Sequence, residues 1–184
     1  MRKIIFLFSI LFSSSAFFPT PTLARDKNKV KKSIEIDASI EEVFSYATNP
    51  ENLLILMPNM KSVTDVSPPT PGAGQSWHWK YEWMGATFKG KSRVVEFNPP
   101  TRYVVQSGEK SPDLWTYTLS NGDMGTKVTL EIEYKISSSF LTKIANWVLI
   151  KRKIRGEVQD SLERLKAITE SDGLVGENSH LRLK

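Results

Sequence analysis

Apolar residues recur along this chain with two periods, and the points where the period changes mark out its elements. Val30 to Ile36 alternates weakly, with Ile34 and Ile36 on one side, as a half-covered strand does. Ser39-Ile40-Glu41-Glu42 reads as a capping box, with Ser39 as N-cap and Glu42 at the third helical position. The helix it opens runs to about Ala47 and buries Ile40, Val43, Phe44 and Tyr46. Asn49-Pro50 starts a second, short helix, because proline suits a first helical position. It carries Leu53 to Leu56 and stops near Met57-Pro58.

Period two then takes over for six segments: Met60–Val66, Gln75–Trp83, Ala86–Phe97, Arg102–Ser107, Leu114–Leu119 and Thr126–Ile136. Proline- and glycine-rich punctuation separates them at Pro68–Gly74, Met84-Gly85, Asn98–Pro100 and Asn121-Gly122. The last strand alternates cleanly, Val128, Leu130, Ile132, Tyr134 and Ile136 against Lys127, Thr129, Glu131, Glu133 and Lys135, so one face is covered and one is wet. The period returns to 3.6 from about Ser139 to Glu170. Ile144, Trp147, Ile154, Val158, Leu162, Leu165 and Ile168 form one stripe there, and the helix ends near Gly173. The order is β-α-α-β6-α, an α+β chain. A sheet and a long helix that each own one apolar face cover one another most simply when the sheet curls around the helix.

One strand carries far more apolar surface than the rest. Trp77, Trp79, Tyr81 and Trp83 stand at alternate positions and share a face, while His78, Lys80 and Glu82 share the other. Four such rings offer roughly 600–1,000 Å². Burying them releases roughly 15–25 kcal/mol of gross transfer free energy as an upper bound. Protein or ligand must cover that face.

Composition narrows the setting. Arg2 and Lys3 precede an apolar run from Ile4 to Phe12, and Thr22-Leu23-Ala24 supplies small residues before a cut, which is the make-up of a secretory signal peptide. Residues 1–24 are expected to leave, with cleavage after Ala24 or, alternatively, Ala16. That leaves residues 25–171 as one domain and 172–184 as a disordered polar tail. The exported product would be periplasmic or secreted. Losing Arg2 and Lys3 leaves 23 Lys+Arg against 20 Asp+Glu, a net charge of +3, which favours solubility and names no partner. The chain has no cysteine, which excludes disulfides, thiolate zinc and a thiol nucleophile. It has two histidines, one of them His180 in the tail, so neither a multi-histidine metal site nor any cofactor is predicted.

Five short segments then resemble a known family. Ile36-Asp37-Ala38-Ser39-Ile40-Glu41-Glu42-Val43-Phe44 looks like its opening "A-x-x-E-x-V-F" signature, and Asn49-Pro50-Glu51-Asn52 with Met57-Pro58-Asn59-Met60 follows where it has a "D-P-x-x…P-x-apolar" segment. Glu96 to Tyr103 is similar to its "E-x-x-P-P-x-R" turn, Gly122 to Thr129 to its hairpin ending in "G-T-x-V-T", and Leu162 to Lys166 to its closing helix. The chain is identified on these as resembling the SRPBCC superfamily: START-related lipid-transfer domains, polyketide cyclases and dehydrases, and pollen-allergen-like binders. The likeness covers about Val30 to Ser171. It implies a helix-grip fold, a curved seven-stranded antiparallel sheet around a long C-terminal helix, enclosing a hydrophobic cavity. Leu56-Met57 stand where many members place an aromatic before the proline, so the cavity mouth is expected to differ.

Parity carried across the sheet puts Phe88, Gly90 and Ser92 on the side of Trp77, Trp79, Tyr81 and Trp83, with Trp115, Tyr117 and Tyr134 completing the inner face. These ten residues are the expected ligand-binding wall. The bland alternative is a filled core packed on Ile154 and Val158. Gly90 and Ser92 argue for room, being small residues opposite large ones. Tyr and Trp also carry polar tips that a dry core would not need. A hydrophobic small molecule or lipid is the partner this wall implies. No catalytic residue is assigned. Tyr81, Tyr117 and Ser92 are available to a cyclase-like reaction, and Glu96 joins them only if a bulge near Val94-Val95 does not turn it outward. The cationic outer face of the hairpin (His78, Lys80, Lys89, Lys91, Arg93) matches no nucleic-acid reader. Leu149 beside Arg152 and Lys153, on the back of the long helix, suits peripheral membrane contact. Oligomeric state is not legible.

Overall fold

The computed structural model describes residues 28–108, 112–134 and 147–181. The expected signal peptide, the strand end at Ile136, the helix start at Ser139 and the stripe position Ile144 lie outside the described residues. The elements are β1 (Asn28–Ile36), α1 (Ile40–Thr48), a 3-10 turn (Pro50–Asn52), α2 (Leu53–Leu56), β2 (Met60–Ser67), β3 (Ser76–Trp83), β4 (Ala86–Asn98), β5 (Arg102–Ser107), β6 (Asp113–Gly122), β7 (Gly125–Tyr134) and α3 (Trp147–Leu181). Seven strands form one sheet in the order β1-β7-β6-β5-β4-β3-β2, every neighbour antiparallel. This is the helix-grip fold, a curved sheet closed by a long C-terminal helix.

The caps act as the sequence requires. The Glu42 amide donates to Ser39 Oγ at 3.3 Å to open α1, and the Glu51 amide donates to Asn49 Oδ1 at 3.1 Å to open the 3-10 turn. Val43, Phe44 and Ala47 of α1 are buried, and Val158, Leu162 and Leu165 of α3 join the same core cluster as the residues of β1 and β7; Ile150 of α3 is also buried. A second anchor holds the far half of α3. Lys166 Nζ donates to the Glu35 carbonyl at 2.8 Å and pairs with Glu170, which in turn accepts from the Asp37 amide at 2.8 Å. The Asp37 N–H and the Lys166 ammonium hold the Glu170 carboxyl below its usual range.

Two details differ from the sequence pattern or depend on it closely. The register of β4 on β5 slips between Val94 and Glu96, so Val95 is the bulged residue and points outward. The slip sends Glu96 to the outer face, where it takes Arg102 Nε at 2.9 Å, and turns Phe97 inward against Phe44 (centroids 5.4 Å) and Tyr103 (6.1 Å). The backbone of α3 continues to Leu181, past Gly173 where the pattern ends it. A glycine inside a helix costs about 1 kcal/mol relative to alanine, and no proline follows to remove a hydrogen bond, so the ladder carries on.

Candidate functional site

The concave face of the sheet and the inner face of α3 do not close on each other; they leave a cavity of about 440 Å³. Register explains its walls. Trp77 faces Ser92, Trp79 faces Gly90 and Tyr81 faces Phe88 across β3 and β4, so one parity delivers all six to the same side. Trp77, Trp79, Tyr81, Trp83, Phe88, Ser92, Trp115, Tyr117 and Tyr134 line the cavity. Ile154, Glu157, Val158 and Ser161 of α3 form its lid, and Leu53, Met57 and Pro58 reach its edge.

Gly90 is the expected wall residue that is not in the wall. A Cβ at Gly90 would stand 2.5 Å from Trp79 Cζ2, so the indole lies directly on the bare strand backbone. Gly90 therefore seats a ring and leaves no open space. Ser92 is buried and donates to Ser107 Oγ at 3.0 Å, so its hydroxyl is engaged within the sheet. Trp77 is only 2% exposed and belongs to the core as much as to the cavity.

The polar tips on the wall fall into two groups. The indole N–H groups of Trp77 and Trp79 and the hydroxyl of Tyr134 are buried with no hydrogen-bond partner among the described residues. Such a group costs about 1–3 kcal/mol when nothing meets it. The Tyr117 hydroxyl by contrast has Ser161 at hand, which lowers its pKa, but burial outweighs it and pushes the pKa up to about 12.

Glu157 is the functional candidate that the sequence reading missed. Its side chain is 16% exposed and accepts from Tyr81 Oη at 2.6 Å and from Asn59 Nδ2 at 3.1 Å, with Lys153 Nζ at 3.4 Å. Burial, followed by the contact with this carboxylate, raises the Tyr81 pKa. The signal was present but ambiguous. Glu157 follows Ile154 by three and precedes Ser161 by four, so it sits at the margin of the apolar stripe, where a charge ordinarily faces water. Asp113, at the head of β6, also borders the cavity, one residue before the strand that the sequence pattern starts at Leu114.

The remaining candidates lie elsewhere. His78 pairs with Asp65 at 3.1 Å on the exposed outer face. Leu149 is 53% exposed next to Arg152, but Lys153 leans to Glu157 at the cavity, because four residues on a helix bring the two side chains together. Among the described residues no helix is long and apolar enough to cross a membrane.

Comparison with known proteins agrees with this architecture. TTHA0849 from Thermus thermophilus superposes with a TM-score of 0.65 at 20% identity, covering 79% of this chain and 99% of that one. The di-domain ARO/CYC protein StfQ of the steffimycin biosynthetic pathway gives 0.66 at 12% identity, over 79% of this chain and 51% of its own. Ara h 8.0201 gives 0.59 at 12%, over 78% and 98%. At these identities the likeness establishes the fold. No curated protein matches in sequence. The model of the family described as polyketide cyclase / dehydrase and lipid transport matches residues 27–170, and the chain belongs to that family, within the SRPBCC superfamily.

Proposed function

We propose that the protein is an exported binder or carrier of a hydrophobic small molecule or lipid, held between the aromatic sheet face and α3. The cavity carries this reading: about 440 Å³ lies within the roughly 300–1,000 Å³ of ligand pockets, and its wall is mostly Trp, Tyr and Phe. The unpartnered donors of Trp77, Trp79 and Tyr134 belong to that same wall and support it. Export rests on Arg2, Lys3 and the apolar run behind them, as a signal peptide requires. Native mass spectrometry of protein gently recovered from cells is expected to show an adduct of apolar character on a chain shortened to begin at Arg25. An adduct-free protein that takes up no lipid or hydrophobic fluorophore would sink the binding reading, and a full-length mass would sink export.

Glu157 favours one second reading, a cyclase- or dehydratase-like enzyme, since a carboxylate beside Tyr81 could move a proton. Conversion of a linear polyketide by the wild type, lost in Glu157→Gln, would make the protein a catalyst; unchanged substrate in both leaves it a carrier.

A further inference from the structure

The cavity has a polar end, and its hydrogen-bonding sense is one-sided. Glu157 and Tyr81 both line the space, while Asn59 and Lys153 stand behind them. Tyr81 gives its only proton to Glu157 Oε2 at 2.6 Å, so its oxygen is left with lone pairs alone. The carboxylate takes Asn59 and Lys153 on Oε1 and Tyr81 on Oε2, three of the roughly four contacts a carboxylate accepts. What the Tyr81 and Glu157 side chains themselves offer to a molecule in the cavity is acceptors and no donor. Charge narrows the choice further. Lys153 already sits 3.4 Å from the carboxylate, so the node is close to neutral as it stands. An ammonium would add an uncompensated positive charge to an apolar space, and an anion would meet lone pairs. A neutral O–H satisfies both conditions.

Resting on the binding reading above, we propose that the Tyr81–Glu157 node selects and orients a hydroxyl-bearing apolar ligand, an alcohol or a phenol, with its O–H on the node and its body along the Trp79–Phe88 wall. Asn59 is a positioning residue. It holds Oε1 so that Oε2 faces the ligand.

The test compares 2-naphthol with 2-methoxynaphthalene, nearly the same body with and without the proton, by calorimetry on the purified protein. A hydrogen bond to a charged acceptor predicts roughly tenfold tighter binding of 2-naphthol. In Glu157→Gln, which keeps the shape and removes the charge, that ratio is expected to fall below about threefold, and Tyr81→Phe is expected to lower it as well. Equal affinities in the wild type, or a tenfold preference surviving in Glu157→Gln, would overturn the proposal while leaving a binding cavity in place. Failure of both naphthalenes to bind would remove the cavity reading and this one with it. The wild-type ratio needs no variant, so it decides the matter even if Glu157→Gln folds poorly.

Discussion

Between pH 9 and pH 11.5 the thermal midpoint of this protein is expected to fall by on the order of 10 °C, with tyrosine burial as the main cause. Burial raises the pKa of Tyr103 and Tyr117 above the ordinary value of 10, Tyr117 to about 12. The unfolded chain releases both protons as the pH passes 10, while the folded chain keeps them. Above pH 10 the folded state therefore binds more protons than the unfolded state, and stability declines with pH. Stability from these two groups is complete below pH 10 and is lost on the way up to their folded values. Each group costs about 1.36 kcal/mol per pH unit, so the pair removes roughly 4 kcal/mol by pH 11.5. At about 2–4 °C per kcal/mol for a domain of this size, that is roughly 8–16 °C. Tyr81 and Tyr134 shift in the same direction and add to the loss. Phenolate absorbance near 295 nm should rise in step with loss of near-ultraviolet circular dichroism, and a Tyr103→Phe, Tyr117→Phe double variant should flatten the slope. Full ionisation of these rings near pH 10 in a protein that stays folded would show that they are not buried as described.

The same rings show what the sequence discloses and what it hides. Parity is a strong signal where one face is buried, because a slip of one residue would turn every side chain over. Trp77 to Trp83 consequently land on the inner face together, and Phe88 opposite Tyr81 follows from a two-residue turn. The bulge at Val95 was also legible, since Phe97 could reach the core only if one residue was skipped. The gap between two covered faces is another matter. Whether Gly90 leaves room or seats an indole depends on which rotamer Trp79 adopts, and a linear pattern does not carry that. Glu157 was hidden for a related reason. Its helical angle places it between the buried stripe and solvent, and only the reach of Tyr81 from the opposite sheet draws it inward. Elements and faces follow from period and parity; the polar end of the cavity follows from side chains that meet across it.

Gly125→Ala is expected to destabilise the protein by about 3 kcal/mol, lowering its thermal midpoint by roughly 6–12 °C, whereas Gly122→Ala, three residues earlier in the same hairpin, should cost less than about 1 kcal/mol. Gly125 has φ +129°, a backbone region that side chains avoid at a cost of about 1–3 kcal/mol. A Cβ there would also stand 2.6 Å from the Ile36 carbonyl oxygen and 3.1 Å from the Ala38 amide nitrogen and carbonyl oxygen. Those atoms are backbone at the corner between β1 and α1, and no rotamer change can move them. The neighbouring Thr126 is fully buried and donates to the Ala38 carbonyl at 2.7 Å, so any shift of the hairpin breaks a bond between two parts of the chain 88 residues apart. At Gly122 the nearest atom is Glu35 Oε2, closer still, but it ends a flexible side chain that can swing out to water. The contrast separates rigid contact from close contact. Thermal unfolding of the two variants side by side checks it. A Gly125→Ala midpoint within about 2 °C of the wild type would mean that the β6–β7 hairpin is not locked to the start of α1.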